Sequence, residues 1–248
     1  VILVTTKKGK IGRPVVSYNG YAGWQSASRM PDYLGSADYA TLLNEAYRND
    51  GLPDRYSPEE IEKFRNGSDP DHYPNSNWQD ALISESGFFH NHYLNLSGGT
   101  ENTQYSVSLG YHEKGGLIPN SSFNRYNLRT NIDTKVSNRL KVNLNLALSR
   151  DRTLSPTTKA GTLFYWILRE TPTYPIQFSN GNYGLHLNEH NSVAFAKNGG
   201  TNKKYKNDVQ GHLGFTYEII EGLVLRCSAA TRFNLTDMYQ DTKSMNFY

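Results

Sequence analysis

The sequence predicts an all-β fold, a transmembrane antiparallel β-barrel to which these 248 residues contribute about seven strands. Three observations support this prediction. Apolar and polar residues alternate with a period of two, which gives each strand one hydrocarbon face and one polar face. The alternation continues over about ten residues, the length that a tilted strand needs to cross a bilayer. Short and long connections also alternate along the chain, as they do in outer-membrane barrels.

The first part of the chain is expected to contain three segments. Residues 1–10 are expected to begin with a short buried strand and to end in a basic link. The rest of the chain, 11–248, is expected to form part of the barrel wall. The first barrel strand is predicted at 13–25, followed by a long connection at 26–87. Two helices are predicted in that connection. One has Ser36 as its N-cap, and the other begins with the capping box of Ser57 and Glu60.

Three hairpins are predicted in the remaining sequence. Their strands lie at 88–98 with 103–113, at 126–136 with 140–148, and at 207–219 with 223–237. The pairs that keep the apolar residues on one face are Leu96–Tyr105, Leu94–Val107, Val136–Leu140, Ile132–Leu144, Tyr217–Leu225 and Leu213–Ala229. A register error of one residue would remove this agreement.

The connections at 26–87 and 154–205 are expected at the same end of the sheet, outside the cell. A soluble β-sandwich is the alternative fold, but it has no reason to collect its long loops at one end. The chain has no run of about 20 apolar residues, so no transmembrane helix is expected. A net charge of +3 with scattered Lys and Arg argues against nucleic acid as a partner. The single Cys227 allows no intrachain disulfide.

Several motifs, in order, resemble SusC/RagA-type TonB-dependent outer-membrane transporters. Residues 1–10 resemble the last strand of the plug domain of this family. The motifs in the first long connection are Asn44-Glu45-Ala46, Ser57-Pro58-Glu59-Glu60-Ile61, Asp69-Pro70 and Asn77-Trp78-Gln79-Asp80. Later motifs are Leu96-Ser97-Gly98-Gly99-Thr100, Tyr105–Tyr111, Arg125–Asn131, Thr171-Pro172-Thr173-Tyr174-Pro175 and Asn180-Gly181-Asn182-Tyr183. The resemblance covers nearly the whole chain.

The resemblance implies a 22-stranded barrel in the outer membrane of a Gram-negative bacterium, with a plug in its lumen and long helix-containing extracellular loops. It implies import of an oligosaccharide or peptide nutrient, driven by the TonB complex, with a SusD-like lipoprotein as a lid. The chain is expected to be a fragment, and no residue of the TonB-coupling machinery can be assigned in it. A barrel without a plug, acting as a passive porin or an adhesin, is the alternative function.

Aromatic residues in the 154–205 connection are the candidate cargo contacts, because Tyr and Trp stack on sugar rings and peptide side chains. The residues are Trp166, Tyr174, Tyr165 and Tyr183. The alternative role for such residues is to pack the loop against its neighbour. No Ser/His/Asp or Cys/His arrangement is found, so neither catalysis nor a cofactor is expected.

Asp69, Asp71 and Asp80 are a weak calcium candidate, because carboxylate oxygens are preferred calcium ligands. Their spacing is not that of an EF-hand, and Asp, Asn and Pro are also common in turns. His90 and His92 are predicted on the apolar face of their strand, whereas His112 is predicted on the opposite face of the next strand. These three histidines are therefore not expected to share a metal ion.

Overall fold

A computed structural model describes residues 9–187 and 189–247. The segment expected to end a plug domain lies outside these residues, apart from Gly9 and Lys10. The described strands form a single antiparallel sheet, in which each strand pairs with the next one along the chain. They are β1 (Gly12–Gln25), β2 (Gly87–Gly99), β3 (Thr103–Gly115), β4 (Ser122–Lys135), β5 (Leu140–Pro156), β6 (Gly200–Ile220) and β7 (Leu223–Thr242). The predicted all-β class is confirmed, as an open sheet of seven strands.

Two of the three predicted hairpin registers are confirmed. Ile132 lies opposite Leu144 in the β4–β5 pair, and Leu213 lies opposite Ala229 in the β6–β7 pair. The β6–β7 turn contains Gly222 at φ 81°, a backbone conformation that glycine adopts without steric cost.

The register predicted for the β2–β3 hairpin is wrong by two residues. Leu96 lies opposite Val107 instead of Tyr105, and Leu94 lies opposite Leu109. The reason is a tighter turn, in which the Thr100 amide donates a hydrogen bond to the Thr103 carbonyl over 2.7 Å. A shift of two residues leaves every side chain on its own face, so alternation alone could not reveal it.

The sheet has two chemically different faces. We call the face that carries Leu128, Leu144 and Leu213 the apolar face, and its opposite the polar face. The polar face carries Asn145 and His212, which lie opposite each other. His90 and His92 lie on the apolar face and His112 on the polar face, as predicted.

The strands β5 and β6 continue further than predicted at the end of the sheet where the long connections lie. Their ladder includes Arg150 opposite Asn207 and Arg152 opposite Tyr205. These residues are polar although they lie on the apolar face. The alternation that marks a strand in sequence therefore stops before the backbone pairing does.

The first long connection contains helices α1 (Ser36–Asn49), α2 (Pro58–Asn66) and α3 (Trp78–Leu82). The capping box at α2 is confirmed, since Ser57 Oγ accepts from the Glu60 amide and the Glu60 carboxylate accepts from the Ser57 amide. The predicted N-cap of α1 is wrong. Gly35 is the N-cap, and Ser36 is the first helical residue.

The second long connection contains α4 (Ala160–Ile167) and α5 (Ser192–Asn198). Helix α5 packs against both α3 and α4. The main cluster of buried hydrophobic residues lies in the connections, not on the sheet, because a single described sheet has no second layer to cover it. The cluster consists of Trp78, Leu82, Ile118, Leu163, Ile167, Val193 and Ala196. No helix in residues 9–187 and 189–247 is both long and apolar enough to cross a membrane.

Candidate functional site: the joined connections

The two long connections, 26–86 and 157–199, pack together at one end of the sheet into what we call the loop unit. Several hydrogen bonds join them. Trp78 Nε1 donates to the Thr171 carbonyl over 2.9 Å, and Ser76 Oγ donates to the Tyr174 carbonyl over 2.7 Å. Such contacts between segments about 90 residues apart fix the position of one connection on the other.

Ser36 is the most buried of the residues that join the two connections. Its hydroxyl lies 2.6 Å from the Pro74 carbonyl and 2.9 Å from the Pro172 carbonyl, and its side chain is fully buried. The predicted capping role would have placed this hydroxyl on its own helix. It instead links the start of α1 to both connections.

A buried acid lies inside the loop unit. The Glu170 carboxylate accepts hydrogen bonds from the Ser192 amide over 2.8 Å and from Ser192 Oγ over 2.5 Å. Burial raises the pKa of Glu170 to about 7, although both hydrogen bonds from Ser192 oppose this rise. His190 Nε2 lies 3.9 Å from Glu170 Oε1. Sequence reasoning missed this acid because nothing in its neighbourhood distinguishes it from an exposed loop glutamate.

His186 is the second buried titratable group of the loop unit. Its Nε2 accepts a hydrogen bond from the Thr171 amide over 3.1 Å, which requires the neutral ring. Burial lowers the pKa of His186, and the neighbouring His190 lowers it further. The loop unit therefore favours an uncharged His186.

A cavity of about 600 Å³ lies where the two connections meet. Its wall is formed by residues 30–35, 75–80 and 167–172, together with Tyr39. Tyr33 is half exposed there, and Arg169 and Asp32 supply charges of opposite sign. A cavity with apolar, aromatic and charged groups is suited to a polar ligand with several hydrogen-bonding groups.

The four predicted cargo residues lie in the loop unit but do not line this cavity. Trp166 stacks on the His190 ring with centroids 4.5 Å apart and contacts Phe195. Tyr174 meets the His186 ring edge-on at 4.9 Å. Both rings are half-buried, so each combines a packing contact with an accessible surface.

Tyr165 and Tyr183 occupy more peripheral positions. Tyr165 is half exposed, and the Arg169 guanidinium lies 3.9 Å above its ring. Tyr183 accepts a hydrogen bond from Asn198 Nδ2 over 3.3 Å. Cargo contact by any of the four residues stays a prediction.

The three carboxylates of the calcium candidate are each engaged by a separate protein donor. Asp69 contacts His72, Asp71 accepts from Ser179, and Asp80 accepts from Asn77. The hydrogen bonds from His72 and Ser179 lower the pKa of Asp69 and Asp71. In the described part of the chain no three His, Cys, Asp or Glu side chains form a metal-binding group. The calcium site also stays a prediction.

The polar face of the sheet carries paired charges. Arg232 donates to Asp208 Oδ2 from Nε over 3.1 Å and from Nη2 over 2.7 Å. Arg125 donates to both oxygens of Asp151, each over 2.6 Å. Such pairs on a strand face are typical of a wet interior, where each charge is also hydrated. The fold and its two faces thus define the chain as part of the wall of an outer-membrane-type β-barrel.

The chain is similar to curated TonB-dependent receptors. It is 27% identical over 257 residues to TonB-dependent receptor P26 of Formosa agariphila, covering 99% of this chain and 24% of that protein. It is 29% identical over 182 residues to SusC of Bacteroides thetaiotaomicron, covering 73% and 16%. It is 30% identical over 162 residues to TonB-dependent receptor P3 of Formosa agariphila, covering 65% and 14%. The chain thus spans a quarter or less of the length of these relatives.

The fold matches part of a chain in solved structures of RagAB. The "closed-closed" state of the RagAB peptide importer matches with a TM-score of 0.74 and 17% identity, over 98% of this chain and 30% of that one. A second RagAB structure matches with a TM-score of 0.71 over 94% of this chain and 29% of that one. No family model matches the chain. The resemblance to SusC/RagA-type TonB-dependent transporters is confirmed, and the chain aligns with one part of such proteins.

Proposed function

We propose that the complete protein imports a nutrient across the outer membrane of a Gram-negative bacterium, with energy from the TonB complex. One observation carries this proposal. A sheet with one apolar and one polar face, and with its long connections at one end, occurs in a chain that aligns over 99% of its length with a TonB-dependent receptor.

The proposed topology follows from the two faces. The apolar face contacts lipid and the polar face lines a lumen, because only a closed barrel satisfies the strand backbone inside a membrane. The loop unit then lies outside the cell. Residues 1–10 end the plug domain, and 11–248 form the first part of the barrel.

The proposed cargo is an oligosaccharide or a peptide, delivered with the help of a SusD-like surface lipoprotein. The similarity to SusC and to the RagAB peptide importer supports these two classes. The loop unit offers aromatic rings for stacking, at Tyr165, Trp166, Tyr174 and Tyr183. Stacking on aromatic rings holds a hydrated polymer at a shallow surface, from which the polymer can leave more easily than from a deep pocket.

The test is uptake by cells that carry the complete gene or a deletion of it. Labelled oligosaccharides and peptides are supplied separately, in cells with and without TonB. Uptake of one class that requires both the gene and TonB would support the proposal. Uptake that requires the gene but not TonB would instead support a passive porin.

The partner is tested in the same cells. Purification of the complete protein from the outer membrane is expected to bring a surface lipoprotein with it in stoichiometric amount. Deletion of the lipoprotein gene should reduce uptake while the barrel stays in the membrane. Undiminished uptake without any lipoprotein would contradict the proposed partnership.

A further inference from the structure

The apolar face ends in a row of cations at the end of the sheet nearest the loop unit. On β5 the apolar side chains of Leu140, Val142, Leu144, Leu146 and Leu148 are followed on the same face by Arg150 and Arg152. On β6, Lys203 lies on this face opposite Leu154. We call Arg150, Arg152 and Lys203 the cationic row.

The cationic row has no acidic partner within residues 9–187 and 189–247, since no ion pair there includes any of its members. All three residues are exposed. Arg150 lies over the Tyr205 ring at 5.4 Å, a contact that leaves the N–H groups at the edge of its guanidinium free.

The acidic residues on the apolar face form no ion pair with the cationic row among the described residues. Glu113 is engaged by the Tyr111 hydroxyl and lies 3.5 Å from His90 Nε2. On the neighbouring strand β7, Asp237 lies opposite Tyr205 and Asp241 lies opposite Thr201, and neither forms an ion pair with the cationic row within 9–187 and 189–247.

On the polar face Arg125 and Arg232 are paired with carboxylates, whereas Lys141, Lys204 and Lys206 enter no ion pair in the part of the chain that the structure describes. The cationic row is therefore distinguished by its position at the edge of an apolar surface.

An apolar groove of about 560 Å³ lies directly beside the cationic row. Leu109, Leu128, Leu148 and Val209 line it, and Arg150 is also part of its wall. The Tyr111 and Tyr126 rings, 4.8 Å apart, form the side of the groove. A hydrocarbon groove that ends in cations matches an amphiphile with an anionic head and an acyl tail.

We propose that this surface binds a lipid with a phosphorylated headgroup from the outer leaflet. The inference rests on the proposed function, because that function places the apolar face in a membrane and the loop unit outside it. An acyl chain lies in the groove between Leu148 and the Tyr126 ring. The phosphate contacts Arg150, Arg152 and Lys203, and guanidinium groups bind phosphate oxygens in pairs.

The experiment uses the complete protein in nanodiscs that contain either phosphatidylglycerol with phosphatidylcholine or phosphatidylcholine alone, with the same acyl chains. After extraction into neutral detergent, native mass spectrometry counts the phosphatidylglycerol molecules that stay bound. The test variant is Arg150→Gln, Arg152→Gln and Lys203→Gln. The control variant is Lys141→Gln, Lys204→Gln and Lys206→Gln, which removes the same charge from the polar face.

The wild type and the control are expected to retain phosphatidylglycerol in preference to phosphatidylcholine. The test variant should lose about tenfold of that preference, because its charged phosphate contacts are gone. Equal retention by the test variant and the control would overturn the proposal, as would equal retention of the two lipids by the wild type.

Uptake and heat-modifiability of the barrel are measured on the same variants. Transport without lipid preference overturns the lipid site alone. Lipid preference without transport overturns the proposed function alone. A protein that never enters the outer membrane overturns both.

Discussion

The buried carboxylate of Glu170 accepts two hydrogen bonds from Ser192, one from its amide and one from its hydroxyl. The two residues join the end of α4 to the start of α5. Because burial raises the pKa of Glu170 to about 7, this carboxyl group holds its proton more tightly in the folded loop unit than in the unfolded chain. We therefore expect the stability of the loop unit to depend on pH near neutrality.

Glu170→Gln is expected to reduce this pH dependence. Neutral Glu170 stabilises the loop unit below its ordinary pKa of 4.5, and this stability is lost as the pH rises through about 7. At about 1.4 kcal/mol for each pKa unit, the loss is at most about 3 kcal/mol. Hydrogen exchange of residues 160–198 from pH 5 to pH 8 measures the effect.

His186 has the opposite dependence, because its lowered pKa stabilises the loop unit above 6.5 and this stability is lost as the pH falls. The comparison of Glu170→Gln with wild type isolates the acid. Glu189→Gln changes an exposed carboxylate of the same loop and serves as the control. Identical pH profiles for all three proteins would contradict the prediction.

Ser36→Ala is expected to loosen the contact between the two connections. It removes the hydroxyl that bonds the Pro74 and Pro172 carbonyls, and of these two the Pro172 carbonyl keeps the hydrogen bond from the Ser76 amide. An unsatisfied buried polar group costs about 1–3 kcal/mol. Limited proteolysis of the complete protein should then cut the loop unit faster. Thr41→Ala removes an exposed hydroxyl that bonds within its own helix, and it should have no such effect.

The topology predicts which substituted cysteines a polar reagent can reach. In a Cys227→Ala background, Asn145→Cys should be labelled in intact outer membranes and Leu144→Cys should not. The reason is that Leu144 faces Leu213 on the apolar face, whereas Asn145 and His212 share the polar face. Labelling at 144 without labelling at 145 would reverse the assignment.

Replacing Trp166 and Tyr174 together by Ala is expected to impair uptake of the cognate polymer several-fold, because each aromatic stacking contact contributes about 0.5–1.5 kcal/mol. Both rings also pack on buried histidines. Surface abundance is therefore measured in the same cells. Tyr165→Ala is measured beside it, because Tyr165 is also a cargo candidate but its ring is half exposed. Uptake by this variant shows the effect of losing a candidate ring with less packing. Lost abundance, or unchanged uptake, would assign Trp166 and Tyr174 to packing.

Residues 1–248 are not expected to fold by themselves. The described sheet has β1 and β7 at its edges, and each unsatisfied backbone group in hydrocarbon costs several kcal/mol. The isolated chain should remain protease-sensitive in detergent and show no heat-modifiable band. The complete protein is the control. A cooperative, protease-resistant fold of the isolated chain would contradict this.

The sequence predicted those parts of the molecule in which local pattern and environment agree. The register of Ile132 against Leu144 follows from alternation and a short turn. The capping box at Ser57 follows from side chains that bond within one helical turn. Ser36 shows the limit, because its partners Pro74 and Pro172 are distant in sequence. Glu170 is likewise bonded to a residue distant in sequence, Ser192, and the local sequence pattern carries no information about this contact or about the burial of Glu170.

The order of strands also bears on how the molecule assembles. Because every strand pairs with the next one along the chain, the sheet can grow by one hairpin at a time as the polypeptide is delivered to the membrane. The hydrogen bond from Trp78 to the Thr171 carbonyl joins residues 93 positions apart, and β2 to β5 lie between them in the sequence. The strand ladder contains none of the hydrogen bonds that join the two connections, so we expect a weakened loop unit to leave the pairing of the strands unchanged.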